Sequence, residues 1–158
     1  MKLRFRLIRI TGIVLLACLG FLPVHAATPS ESPRSNEAIV REFIAAWSRL
    51  DADELVGYFA SDGTYHNMPM APVTGHEKLR EFIGGFLASW EKTDWQIINL
   101  LVDGDVVFAE RIDRTHAAGR YVELPCAGVF EMENGRIKVW RDYFDLATFT
   151  NAVTPPRD

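Results

Sequence analysis

The chain has 158 residues, 48% of them hydrophobic and 24% charged. That suits one globular domain, leaves no room for two ordinary cores, and excludes a chain that is mostly disordered. Charge is uneven: residues 1–26 hold Lys2, Arg4, Arg6 and Arg9 and no acid, so removing four of the 17 basic residues leaves 13 against 21 acidic ones, a net of −8. A body this acidic, with no Lys/Arg cluster beyond the first ten residues, is a poor partner for nucleic acid, whose binding draws on cationic charge.

The basic start runs into an apolar stretch from Ile10 to Leu22 and then into Val24-His25-Ala26. This order predicts a secretory signal over 1–26, cleaved near Ala26, and an exported, periplasmic or secreted protein with no stable membrane span after cleavage. An uncleaved anchor and a lipoprotein modified at Cys18 are the alternatives. Loss of Cys18 leaves Cys126 alone, so no disulfide forms within the mature chain.

Residues 27–35 are rich in Pro and Ser and read as a flexible lead-in. From Glu37, Ile39, Val40, Phe43, Ile44, Trp47 and Leu50 recur at helical spacing, and Asp51 to Glu54 starts a second helix. Ser61 to Gly75 reads as a loop. A third helix is expected over 76–89, with Leu79, Phe82, Ile83 and Phe86 inward. The period then changes to that of strands, over 95–102, 106–115, 121–132 and 136–144. Asn134-Gly135 marks a hairpin, and a short helix follows over 146–152. Helices first and strands after predict an α+β domain over 36–153, with N-terminal helices packed on a mostly antiparallel sheet, and a tail over 154–158. Pro125 suggests a sheet edge or a bulge in its strand.

Strand parity places charge where apolar residues belong. Val107, Ala109, Arg111, Asp113 and Thr115 share one face, and Asp142 lies between Trp140 and Phe144 on another. Two carboxylates and a guanidinium on inward faces are costly unless paired, and the economical arrangement has Arg111 bridging Asp113 and Asp142. An ion pair that only fixes strand register is one reading. The other is a site in which two acids share one proton, so that donor and acceptor stand together near neutral pH. Tyr65 and Asn67, two apart in an extended stretch, face the same way and suit the holding of a water; His66 faces the other. No HExxH, CxxC, GxGxxG, GxSxG or phosphate-binding loop occurs, so neither a metal nor a cofactor is expected.

Tyr65-His-Asn67-Met-Pro69, Glu110-Arg111-Ile-Asp113, and Gly128-Val-Phe130 leading to Trp140-Arg-Asp142-Tyr-Phe-Asp145 together resemble the limonene-1,2-epoxide hydrolase family, from about Glu37 to Val153. The resemblance implies the cone-shaped fold of nuclear transport factor 2, a homodimer through the sheet, and hydrolysis of a small apolar epoxide by water in one step without metal or covalent intermediate. It matches Asp142 to the general base, Tyr65 and Asn67 to the groups holding the water, Asp113 to the general acid, and Arg111 to the link between the aspartates. Met68, Met70, Phe86, Leu124, Cys126, Phe144 and Leu146 are the candidates for the substrate pocket. An isomerase or cyclase of the SnoaL-like type, or a non-catalytic ligand cup, are the other functions expected of such a fold.

Overall fold

The computed structural model describes residues 34–153. The N-terminal segment read as a signal, the lead-in through residue 33 and the tail from Thr154 lie outside the described residues. Among the described residues, no helix is long and apolar enough to cross a membrane.

Helix α1 (Asn36–Ala46) starts where the Ser35 side chain accepts from the Ala38 N–H, and a 3₁₀ turn (Trp47–Arg49) prolongs it. Its stripe of Ile39, Val40, Phe43, Ile44 and Trp47 is buried, and Leu50, at φ 56°, ends the run in the left-handed region. Asp51 caps the short α2 (Ala52–Val56) by accepting from the N–H groups of Asp53 and Glu54. Then come β1 (Phe59–Asn67), β2 (Val73–Thr74), α3 (His76–Leu87), β3 (Trp90–Asp103), β4 (Val106–Ala117), β5 (Arg120–Glu133), β6 (Arg136–Phe144) and α4 (Leu146–Val153). The strands form one six-stranded sheet in the order β2-β1-β6-β5-β4-β3. Among the described residues, only β1 and β6 pair in parallel. The α+β architecture expected from the sequence is present, with α1 against β3 and β4, α3 against β1, and α4 against β5.

Two expectations need correction, and of the two alternatives for Pro125 the structure shows the edge. The stretch 61–75 is not one loop: β1 runs through Asn67 and β2 covers Val73–Thr74. Ser61 and Asp62 are exposed and the pairing with β6 shifts register between Phe59 and Thr64, which erases the apolar alternation that would announce a strand. β3 begins at Trp90 rather than Trp95, because an outermost strand facing water tolerates the charged residues Glu91, Lys92 and Asp94. Pro125 causes no bulge: it pairs in register with Ile112 of β4. β6 joins β5 only from Cys126 onward, so Pro125 lies where β5 has an open side.

Candidate active site

The register of β1, β6, β5 and β4 sets the site in rungs. Tyr65, Trp140 and Phe130 lie side by side, and their rings stack: Tyr65 on Trp140 at 4.0 Å and 6°, Phe130 on Trp140 at 5.5 Å and 8°. The next inward rung holds Asn67, Asp142, Gly128 and Ala109. Arg111 opposes Cys126 one rung further, and Asp113 opposes both Leu124 and Trp95. Parallel pairing of β1 with β6 is what puts Tyr65 and Asn67 beside Trp140 and Asp142. His66 faces the other way, beside Arg141.

Arg111 is fully buried and joins the two acids. Its Nε donates to Asp113 Oδ1 at 2.9 Å, and its Nη2 donates to Asp113 Oδ2 at 3.1 Å and to Asp142 Oδ2 at 2.5 Å. The guanidinium plane is steadied by Trp95, whose ring centre is 4.6 Å from Cζ, and by Trp140 at 5.5 Å. Trp95 is held in turn: its Nε1 donates to Thr93 Oγ1, which shares a 2.7 Å hydrogen bond with Thr115 Oγ1.

With one cation between two buried acids, the charges do not balance. Burial pushes the Asp113 carboxyl up from 3.8 to about 6; Arg111 pulls it down and the Asp142 charge adds to the rise. Asp142 is also raised, by burial, against the pull of Arg111. Burial and Asp142 hold the Tyr65 phenol well above its ordinary value. Asn67 Oδ1 and Asp142 Oδ1, on the same rung, are buried acceptors with no donor among the described residues. A molecule that gives a hydrogen bond to each would satisfy both.

These groups open on a cavity of about 180 Å³. Of the residues expected to line it, Tyr65, Asn67, Asp113, Asp142, Met70, Phe86, Leu124, Cys126, Phe144 and Leu146 do. Met68 does not. It lies in the turn after β1, where its N–H donates to the Asp142 carbonyl at 2.9 Å. Arg111 lies behind the acids rather than in the wall. Sequence reasoning missed Trp47, Trp90, Trp95, Phe149 and Thr150 as lining residues. Trp95 shares the inward parity of Asp113, and Phe149 and Thr150 follow Leu146 at helical spacing, so a signal existed for these three. The cavity is thus an aromatic box with its carboxyls at the sheet.

Asp113, Cys126 and Asp142 each bring one ligand-type atom within 4.8 Å of the others. The donor set suits a metal poorly. Arg111 already binds both carboxylates, and burial together with the Asp113 charge keeps the Cys126 proton on sulfur.

The chain is similar to known proteins in sequence and in fold. The family described as the limonene-1,2-epoxide hydrolase catalytic domain matches residues 34–154. Epoxide hydrolase EphG of Mycobacterium tuberculosis (strain ATCC 25618 / H37Rv) is 32% identical over 113 residues, covering 68% of this chain and 71% of that protein. The solved structure of an M. tuberculosis LEH-like epoxide hydrolase is similar with a TM-score of 0.63 at 26% identity, over 73% of this chain and 86% of that one. A hypothetical protein of ketosteroid isomerase-like fold from Catenulispora acidiphila DSM 44928, in complex with trimethylamine, gives a TM-score of 0.68 at 26% identity, over 75% and 93%.

Proposed function

This chain belongs to the limonene-1,2-epoxide hydrolase family, and we propose that it adds water to a small or medium apolar epoxide in one general acid/base step, giving a vicinal diol. Epoxide hydrolase activity as such follows from the family and from the curated relative; the steps and the substrate class are what we propose. In that reading Asn67 and Tyr65 hold a water against Asp142. Asp142 takes one of its protons as the water oxygen bonds to an epoxide carbon. The ring C–O bond breaks as Asp113 gives its proton to the departing oxygen. Asp142 then returns a proton to Asp113, and Arg111, hydrogen-bonded to both, keeps the two carboxyls close enough for that return.

Water is a weak nucleophile and an alkoxide a poor leaving group, so each proton transfer lowers the barrier, by roughly 10²–10⁴-fold in rate. Holding the water adds to this by removing its orientational freedom. The observation that carries the reading is the single guanidinium shared by two buried acids, with the free oxygen of Asp142 beside an unpaired Asn67 carbonyl. Aromatic and aliphatic walls around a volume of about 180 Å³ support a compact apolar substrate.

The test is incubation of the purified protein with a panel of terpene, styrene and cycloalkene epoxides in heavy-oxygen water. A diol carrying one heavy oxygen is expected, and it disappears in Asp142→Asn and Asp113→Asn. No diol from any member of the panel overturns the reading. We infer further that two copies pair through the outer sheet face, which exposes Ile98, Leu101, Phe108 and Tyr143. Sedimentation as a monomer at micromolar concentration contradicts that inference.

A further inference from the structure

Arg111 stands on β4 and Asp142 on β6, with β5 between them. Neighbouring strands lie about 4.8 Å apart, so the arginine reaches across about 10 Å of sheet. On β5 the inward residues beside its path are Cys126, opposite Arg111, and Gly128, opposite Asp142. Gly128 has no positive φ, so backbone freedom does not account for it, and a glycine inside a strand weakens that strand.

Space does account for it. A Cβ on Gly128 would lie 2.8 Å from Arg111 Nη1, 3.0 Å from Phe130 Cε2 and 3.1 Å from Trp140 Nε1. None of the three neighbours yields easily. The guanidinium is tied at Nε and Nη2 to both aspartates and lies against the Trp95 ring. Phe130 and Trp140 are fully buried and stacked on each other.

We propose that Gly128 is a positioning residue of this site: the missing side chain is the gap in β5 through which Arg111 passes to hold Asp113 and Asp142 together. An alanine there forces the guanidinium away from β5 and loosens its bond to Asp142 first, because Asp113 is two residues along the same strand and moves with Arg111. The consequence for rate rests on the hydrolase reading above; the consequence for the two carboxyls does not.

The experiment therefore reads the carboxyls directly. Asp142 is titrated by carbon NMR of its labelled carboxyl, its signal identified by loss in Asp142→Asn. In Gly128→Ala the Asp142 midpoint is expected to rise by about one pH unit, because the guanidinium that favours its ionised form has moved off, and kcat on a hydrolysed epoxide to fall about tenfold or more with KM little changed. Adding Gly128→Ala to Arg111→Lys is expected to leave the midpoint of that background where it was, since lysine has no Nη1 to displace. An unmoved midpoint in the single variant, or an equal shift in both backgrounds, overturns the proposal. If Gly128→Ala fails to fold while the double variant folds, relief of the clash supports it; if neither folds but Arg111→Lys alone does, the alanine harms the strand itself and the proposal falls. A wild-type protein that hydrolyses no epoxide sinks the functional reading, and the titration still decides Gly128.

Discussion

Asp113 and Asp142 compete for one cation, and that competition governs how each can act. A general acid works only while protonated and a general base only while ionised. The Asp113 carboxyl is raised to about 6, so activity that needs its proton is lost as pH climbs through about 6. Asp142 is raised above its ordinary 3.8, so the acid side of the profile lies above that value. The expected dependence of kcat/KM on pH is a bell, with both limbs belonging to the coupled pair; a profile flat from pH 4 to 9 contradicts the paired roles. The triad was legible in the sequence because charge on the inward parity of a strand is rare enough to point at its partners. Tyr65 and Asn67 were legible by the same parity. The aromatic surround was only partly so: that Trp47 stacks on Trp95 at 4.3 Å depends on how the 3₁₀ turn after α1 meets β3, which no local spacing reveals. Met68 was misjudged because a residue adjoining a motif is not thereby turned toward the cavity.

At the scale of elements, β1 is where sequence reasoning fell short. Its inner end carries Tyr65 and Asn67, while its outer end is irregular and needs Gly63. A Cβ there would lie 2.9 Å from the carbonyl oxygens of Ala60 and Ile137 and 3.0 Å from Phe59 Cβ. Two of those contacts are backbone and cannot rotate away. Gly63→Ala is thus expected to destabilise the fold by roughly 1–3 kcal/mol. Gly84, inside α3, has nothing within 4 Å of a built Cβ, and Gly84→Ala is expected to stabilise by about 0.5–1 kcal/mol through helix propensity. Thermal unfolding of the two variants checks both: the midpoint falls for the first and rises for the second, and the same sign in both contradicts the argument. The helices and the β3–β6 run were readable because each buries one face. β1 and β2 were not, because β1 becomes a strand by pairing with β6, some seventy residues later, and β2 by pairing with β1.

For the molecule as a whole, the site is a standing instability above about pH 6. Unfolded, Asp113 ionises near 3.8; folded, near 6. Between those values the folded chain binds the extra proton, so stability falls as pH rises from about 4 to about 6 and stays lower beyond, by on the order of 3 kcal/mol from this group. Asp142 acts in the same direction. Asp113→Asn, which leaves Arg111 with one carboxylate, is expected to unfold at higher urea than wild type at pH 8 and at nearly the same urea at pH 4.5; an equal difference at both values contradicts the assignment. One further property of the cavity concerns its sulfur. Epoxides alkylate thiolates, and Cys126 lines the same walls as the two acids. Burial and the Asp113 charge hold its proton in place, and a neutral sulfhydryl is a feeble nucleophile. On the proposed mechanism, the electrostatics that ready an acid and a base to open the ring also spare the chain from being poisoned by the reagent it gathers.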